Sequence, residues 1–387
     1  MLSVIAVDAM GGDYGPLVVV EAVSLALASL QKRGMDLSEV RFLLFGDEGL
    51  IHSQLNKLPA VRPFVKVIRS DVAVTNEMKP LDALRHRHDS SLGMALSALA
   101  HGDADAVVSA ANTGAYVTLA KVLLGTLEGI DRPAIPALIP NSQGRSVVLD
   151  LGANIDNSPE RLVQFALMGE ALARVLCKKE QPTVGLLNVG SEDMKGPILV
   201  QEAGHILQQL AQESQQNLST TPFHFHGFVE GDDIFKGVTD VVVTDGFSGN
   251  IALKAIEGSI YFMFRLLKEA AQQSWRSKLA ALLMKPLIRT VKETIDPRLY
   301  NGAVFLGLKK IAVKSHGGAD VFAYAQALLV AIDMARSKFL EDIEKRLRLM
   351  PPIEGSAALS GSIFPCGDHE AYSKNEPISA KSISQPS

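Results

Sequence analysis

Ser3-Val-Ile-Ala-Val-Asp-Ala-Met-Gly-Gly-Asp-Tyr-Gly-Pro16 decides how the rest of the chain is read. Ser3 to Val7 is apolar and β-branched with no helical period, the mark of a short buried strand. It runs into Asp8, the pair Gly11-Gly12, Asp13, Gly15 and Pro16, and a strongly apolar helix follows from Leu17 to Leu30. A buried strand, a glycine-rich turn and a helix opening at proline make the geometry that α/β proteins use for anionic groups. The glycines let the backbone come close, and the free N–H groups of the helix start face the anion. The spacing is not the dinucleotide fingerprint, and no Gly-Lys-Ser/Thr follows to make a Walker loop. A lone Gly-Gly is better read as a tight strand-to-helix turn. What tips the balance is that similar turns recur.

Outward from this start, strands are expected at Ser3–Val7, Arg41–Phe45, Val65–Ile68, Ala106–Ser109, Val147–Leu151, Val184–Asn188, His224–Val229, Val241–Thr244 and Ile311–Lys314. Helices are expected at Leu17–Leu30, Glu48–Lys57, Ser90–Ala100, Thr113–Leu124, Pro159–Cys177, Gly196–Gln212, Ile251–Gln273 and Ala319–Arg346. Such alternation implies a mainly parallel sheet covered on both faces, with ligands beyond the carboxyl ends of the strands. Polar and glycine residues gather at those ends. They are Asn112-Thr113-Gly114; Gly152, Asn154 and Asp156; Asn188, Gly190, Glu192 and Lys195-Gly196; Asp245-Gly-Phe-Ser248-Gly-Asn250; and Ser315-His316-Gly317-Gly318. Any one is ordinary turn chemistry with a helix cap. Five along one edge of one sheet are better explained by a shared cleft for an anion or polar ligand.

The bulk properties exclude several classes. The chain has 387 residues, 47% of them hydrophobic, which is ample for a large core. A net charge of −4 argues against nonspecific nucleic-acid binding. Two cysteines, Cys177 and Cys366, make neither a disulfide framework nor a clustered thiolate metal site. The N-terminus enters a strand with no basic or cleavable apolar leader, and the apolar helix around Val321–Ile332 is too short to span a bilayer. The expectation is a soluble cytoplasmic protein. Residues from Pro351 onward lose all periodicity, and 350–387 is expected to be a Ser-rich disordered tail after a single α/β domain over 1–349.

Two stretches keep two readings each. Arg85, His86, Arg87 and His88, ahead of Ser90-Ser91 at a helix start, form either a solvated basic loop or a second phosphate grip. In Ser274–Asp296, Leu279, Leu282 and Leu283 share one helical face, and after Pro286 Leu287, Ile288, Val291 and Ile295 share another. With Arg276, Lys278, Lys285 and Arg289 elsewhere and Trp275 at the entrance, this basic helix–proline–helix suits an anionic membrane surface. On periodicity alone, packing on the body or on a second subunit is the better reading.

No covalent nucleophile stands out. Gly246-Phe247-Ser248-Gly249 lacks the spacing of a Gly-x-Ser-x-Gly elbow, and neither cysteine sits in an activating context. His224 and His226 have no third ligand at a diagnostic spacing, so no metal site is expected. Glycine-rich anion sites, amide and hydroxyl donors, one lysine and one histidine suit a reaction whose nucleophile arrives with the substrate. Inorganic phosphate is such a nucleophile, and the protein then has to orient it and stabilise the oxyanion formed on a carbonyl.

Val7-Asp-Ala-Met-Gly-Gly-Asp-Tyr-Gly-Pro16 closely resembles the opening signature of the bacterial phosphate acyltransferase family PlsX. The same holds for Ala111-Asn-Thr-Gly-Ala115, Asp131-Arg-Pro-Ala134, Leu149-Asp-Leu-Gly-Ala-Asn154, Leu187-Asn-Val-Gly-Ser-Glu192 with Lys195-Gly196, Gly227-Phe-Val-Glu-Gly231 and Asp245-Gly-Phe-Ser-Gly-Asn250. The resemblance runs in consistent order from Met1 to about Arg348. It implies a three-layer α/β/α sandwich related to the isocitrate dehydrogenase and phosphotransacetylase folds, with a protruding amphipathic helical hairpin at 274–302. It also implies transfer of a fatty acyl group from acyl carrier protein to inorganic phosphate, no redox cofactor and a homodimer. Peripheral membrane contact at the inner face of the cytoplasmic membrane follows, and so does supply of acyl phosphate to a membrane acyltransferase that starts phosphatidic acid synthesis. Two departures stand near the end: Lys309-Lys310 where the pattern has a glycine, and Gly318 where it has a small hydroxyl residue.

On this reading Gly11, Gly12, Asn112, Thr113 and Gly114 form the phosphate or oxyanion cradle, with Asn188 among the substrate contacts. Lys195 neutralises phosphate or the developing oxyanion, or is a surface lysine before a helix. Asp245, Ser248 and Asn250 line the acyl-thioester end; the other reading of Asp245 and Ser248 is capping of the helix from Ile251, and the two roles are compatible. His316 orients phosphate or protonates the departing thiolate. Asp8 and Asp13 orient loop N–H groups or lysine, magnesium being the minority reading. Leu279, Leu282, Leu283 and Leu287 with Arg276, Lys278, Lys285 and Arg289 form a surface for lipid or for the acidic carrier protein. The alternative activity is that of a phosphotransacetylase using acyl-CoA.

Overall fold

A computed structural model describes residues 2–75, 77–130, 132–216 and 223–348. The expected tail at 350–387 lies outside the described residues. In chain order the elements are β1 (Ser3–Asp8), α1 (Pro16–Lys32), β2 (Val40–Gly46), α2 (Glu48–Leu55), β3 (Val65–Arg69), α3 (Pro80–Arg85), α4 (Ser91–His101), β4 (Ala106–Ser109) and α5 (Thr113–Leu124). Then come β5 (Ala137–Asn141), β6 (Gly144–Leu149), α6 (Pro159–Leu176), β7 (Thr183–Leu187), α7 (Ile198–Gln216), β8 (His224–Val229), α8 (Asp233–Lys236), β9 (Val241–Val243), α9 (Gly246–Gln272) and α10 (Trp275–Thr294). The chain closes with β10 (Ala303–Val304), β11 (Ile311–Lys314), α11 (Val321–Arg336) and α12 (Phe339–Leu347).

The strands do not form one sheet. Contacts divide the chain into two compact units, Met1–Pro133 with the described residues from Asn301 onward, and Ala134–Tyr300. The sequence read the carboxyl-end turns as sharing one sheet edge; they belong to two sheets. The physical reason lies at β5, which the sequence reading missed. It pairs antiparallel with β6 and occupies that strand's outer edge, so the strand series restarts there.

In the first unit the strand order is β10-β11-β4-β1-β2-β3, parallel throughout except for the short β10 on β11. β1 is buried along its whole length, because strands covered on both faces have no polar side to present. From β1 the chain steps outward to β2 and β3, then returns to place β4 on the other side of β1. That reversal makes the carboxyl ends of β1 and β4 a topological switch point, the place where open α/β sheets bind ligands. α1 starts at Pro16, whose missing N–H costs nothing at a helix start, and buries Val19, Ala22, Val23, Ala26 and Leu30. The expected helix Ala319–Arg346 is two helices. α11 ends at Arg336, and Ser337 takes an extended backbone with its hydroxyl bonded to Met334 O at 2.7 Å.

In the second unit the order is β5-β6-β9-β7-β8, with β6, β9, β7 and β8 parallel. One core joins Ile139, Val148, Leu151, Val229, Ile234 and Val242, with Leu253 and Ile256 of α9 packed against it. The register of β8 against β7 slips at His226, the extra residue of a bulge.

The helix–proline–helix expected over Ser274–Asp296 is a single helix, α10, with Pro286 in its interior. Its partner in a hairpin is α9. Pro286 removes one backbone hydrogen bond, which solvent can replace on so exposed a helix. Trp275 is 71% exposed and Leu283 75%, and Leu279, Leu282 and Leu287 are exposed with them. Tyr261, Phe262, Leu266 and Leu267 of α9 add to this apolar surface. No helix among the described residues is long and apolar enough to cross a membrane.

Candidate active site

Each unit carries its own cluster of loops at the carboxyl edge of its sheet. In the first, everything hangs on Asp8, the last residue of β1, which is fully buried. Its Oδ1 accepts the Ser91 hydroxyl at 2.6 Å and the N–H groups of Met10 and Gly11 at 3.2 Å each. Its Oδ2 accepts the Ser109 hydroxyl at 2.6 Å. Burial raises the Asp8 pKa, against the pull of these hydrogen bonds. The carboxylate thus ties the glycine loop to the start of α4 and the end of β4. It holds two N–H groups of that loop in place.

Gly11 has a different duty from the one foreseen for its N–H, which is spent on Asp8. A Cβ at Gly11 would lie 2.5 Å from Asp8 Oδ2 and 2.8 Å from Ala111 N, so only glycine lets the β1 and β4 loops close on each other. Gly12 has φ +87°, and a Cβ there would meet Gly317 O at 2.8 Å. Beside it Asp13 N donates to Gly317 O at 2.9 Å, joining the β1 loop to the β11 loop. Asn112 caps α5, accepting Ala115 N at 3.1 Å, with Thr113 and Gly114 exposed in the first turn. His316 N donates to Asn301 Oδ1 at 2.9 Å, and His316 Nδ1 accepts Gly318 N at 3.1 Å. A side chain at Gly318 would stand 3.3 Å from Asp13 Oδ2, so glycine leaves that corner without the hydroxyl of the family pattern.

Lys314 was read only as the end of a strand. Its ammonium crosses the end of β4, donating to Ser315 O and to Ala110 O at 3.5 Å. Burial pushes its pKa down to about 8, partly offset by Asp8 and Asp13. The signal was legible: a lysine closing the apolar run Ile311-Ala-Val just ahead of Ser-His-Gly-Gly. Ser91, Ser109 and Asn301 were missed too, because each acts on a residue far away in sequence.

The second unit repeats the device. Asp150, buried just after β6, accepts Ile135 N at 2.8 Å and Asn154 N at 2.6 Å, and burial raises its pKa. Gly246 and Gly249 fit because a Cβ would reach 2.5 Å from Asn154 O and 2.0 Å from Asp150 O respectively. Asp245 caps α9, its Oδ1 accepting Phe247 N at 2.9 Å and Ser248 N at 2.8 Å, while Ser248 and Asn250 are exposed. Asn188 clamps the β7 loop: its Nδ2 donates to Lys195 O and its Oδ1 accepts Val189 N, both at 2.9 Å. Lys195 is exposed and ion-paired with Glu192 at 2.8 Å, which raises its pKa.

The structure therefore brings Asp8, Gly11, Gly12, Asp13, Asn112, Thr113, Gly114 and His316 to one sheet edge, and Asn188, Lys195, Asp245, Ser248 and Asn250 to the other. The basic run at 85–88 is partly paired, Arg85 with Asp82 at 3.0 Å and His86 with Asp89 at 3.5 Å. Arg276, Lys278, Lys285 and Arg289 are exposed on the α9–α10 hairpin. Among the described residues no group of three His, Cys, Asp or Glu is placed to hold a metal ion.

Comparison with known proteins gives a consistent picture. The phosphotransacetylase EutD from Staphylococcus aureus superposes with a TM-score of 0.54 at 17% identity, over 86% of this chain and 94% of that one. A phosphotransacetylase from Streptococcus pyogenes gives 0.54 at 18%, with the same coverage. These likenesses speak for the α/β/α fold. The family model described as "Fatty acid synthesis protein" matches residues 3–342. The phosphate acyltransferase of Rhodospirillum rubrum is 44% identical over 93% of this chain and 99% of its own length. That of Azorhizobium caulinodans is 46% identical over 91% and 95%. By sequence over nearly its whole length and by fold, the chain belongs to the bacterial phosphate acyltransferase family and is an acyltransferase.

Proposed function

We propose that the protein transfers a long-chain fatty acyl group from acyl carrier protein to inorganic phosphate, and that the acyl phosphate feeds phosphatidic acid synthesis. The observation that carries this reading is the first sheet's carboxyl edge. There a positive-φ glycine, a capped helix start and a largely desolvated ammonium gather at the topological switch point. These are donors for a small dianion. No side chain there is set up as a covalent nucleophile, so phosphate itself attacks.

In the reaction a phosphate oxygen forms a bond to the thioester carbonyl carbon, and the tetrahedral oxyanion collapses with loss of the C–S bond. The thiolate then takes up a proton. Because His316 Nδ1 accepts an N–H, the neutral ring carries its proton on Nε2. We assign that proton to the departing sulfur, or to a phosphate oxygen. Gly12, Asn112, Thr113 and Gly114 orient phosphate. Lys195, Ser248 and Asn250 of the second unit, the last two at the start of the α9 helix that Asp245 caps, are further proposed substrate contacts. The apolar face of the α9–α10 hairpin, rimmed by Arg276, Lys278, Lys285 and Arg289, supports peripheral contact with the cytoplasmic membrane. Its cations suit an acidic carrier protein as well. A homodimer and handover to a membrane acyltransferase complete the proposal.

The test is release of free thiol from palmitoyl-acyl carrier protein with and without phosphate, the product being trapped by hydroxylamine as a hydroxamate. Phosphate-dependent release with a hydroxamate supports the reading. Reaction of acetyl-CoA but not the carrier-bound acyl group would move the protein to phosphotransacetylase activity.

A further inference from the structure

We infer that Lys314 is the cation that binds the phosphate substrate, reaching it from beneath the joined β1, β4 and β11 loops. This rests on the phosphate-transfer reading and adds to it a residue at the first sheet's edge. Lys314 pairs in parallel register with Ser109, so its side chain starts at the end of β11 and crosses the mouth of β4. Its ammonium has three donors, and the acceptors named for it are two backbone carbonyls, Ser315 O and Ala110 O. Lys314 forms no ion pair among the described residues. Asp8, the carboxylate behind it, is already engaged by two hydroxyls and two N–H groups.

A largely desolvated ammonium that Asp8 and Asp13 offset only in part, with no ion pair to either, is costly, and an arriving anion lowers that cost. Gly12 lies against Ala110, whose carbonyl Lys314 contacts; a Cβ at Gly12 would be 2.9 Å from the Ala110 Cβ. Ser315 N donates to Ser109 O at 2.8 Å and Asp13 N to Gly317 O at 2.9 Å, so the three loops are locked around the amine. The pKa of about 8 follows from the same burial and places loss of the ammonium within a measurable range. The other ionisable groups of these loops are Asp8, Asp13, His316 and Asp320. Tyr116 and Tyr324 lie buried on the helices that follow β4 and the β11 loop.

The experiment measures initial rates against phosphate at saturating palmitoyl-acyl carrier protein, with calorimetric titration of inorganic phosphate, for wild type, Lys314→Met and Lys314→Arg. Methionine keeps the length without the charge and removes a half-buried cation that forms no ion pair, so its melting temperature should match or exceed that of wild type. The expected result is a phosphate KM raised about tenfold or more in Lys314→Met, the loss of one charge-assisted contact, with the KM for the acyl donor within about twofold. Arginine, which keeps the charge, should bind phosphate better than methionine. Wild-type phosphate affinity should fall above about pH 8 and that of Lys314→Met should not. An unchanged phosphate KM in a folded Lys314→Met, or the same alkaline fall in that variant, overturns the inference while leaving phosphate transfer intact. No phosphate-dependent release by wild type overturns both.

Discussion

Asp8 is the residue whose removal has the most legible consequence. Asp8→Ala leaves four donors without their acceptor: the hydroxyls of Ser91 and Ser109 and the N–H groups of Met10 and Gly11. Each buried orphan costs about 1–3 kcal/mol. Against that stands relief from burying a carboxylate, whose desolvation penalty is itself several kcal/mol. The net expectation is a loss of about 3–5 kcal/mol, a large part of the roughly 5–15 kcal/mol that holds a typical domain together. Asp8→Asn should cost less, about 1–2 kcal/mol. Its carbonyl can keep the three donors of Oδ1, but its amide must point at Ser109. That hydroxyl already accepts Ala111 N at 3.0 Å and would be left with a proton and no acceptor.

A pH dependence follows. The folded-state pKa of Asp8 lies above its ordinary value of 3.8, so between the two the folded chain holds a proton that the unfolded chain has released. The site's contribution to stability therefore falls as pH rises through that interval, and the two variants lack this fall. Urea unfolding followed by circular dichroism, from pH 4 upward, measures both the cost and the slope. A cost below about 1 kcal/mol for Asp8→Ala, or parallel pH profiles for wild type and Asp8→Asn, would refute the argument.

Three further outcomes are expected. Gly196→Ala should cost about 1–3 kcal/mol by thermal melting and abolish turnover, because Gly196 has φ +83° and a Cβ would fall 1.7 Å from Asn188 Oδ1, the clamp on the Lys195 loop. Lys195→Ala should leave the melting temperature unchanged, the residue being exposed, while lowering kcat in the thiol-release assay; unchanged kcat removes Lys195 from the chemistry. Leu282→Glu with Leu283→Glu should abolish co-sedimentation with phosphatidylglycerol-containing vesicles without altering the far-ultraviolet spectrum. Retained vesicle binding would exclude the α9–α10 face as the membrane contact.

Much of the fold was legible because strands and helices leave local marks. The nine strands read from β-branched runs all exist, several of them to the residue, since a strand buried on both faces is continuously apolar. β5 escaped notice because Ala137–Asn141 is an edge hairpin strand carrying a proline, with a weak apolar pattern. The caps Asn112, Asp245 and Ser90 could be placed because a cap acts within three residues of itself.

What the sequence alone determined is the alternating α/β class, the glycine turns at strand ends and, through long ordered motifs, the family. These depend on neighbours along the chain. Only the tertiary structure decided that the turns belong to two sheets, that Asp8 gathers Ser91 and Ser109, and that Lys314 lies half-buried across β4. Asp8 and Ser109 are 101 positions apart, and Lys314 and Ala110 are 204 apart. No periodicity reports on such pairs, because strand order is set by which hydrophobic faces and edges remain to be covered once the whole chain is packed.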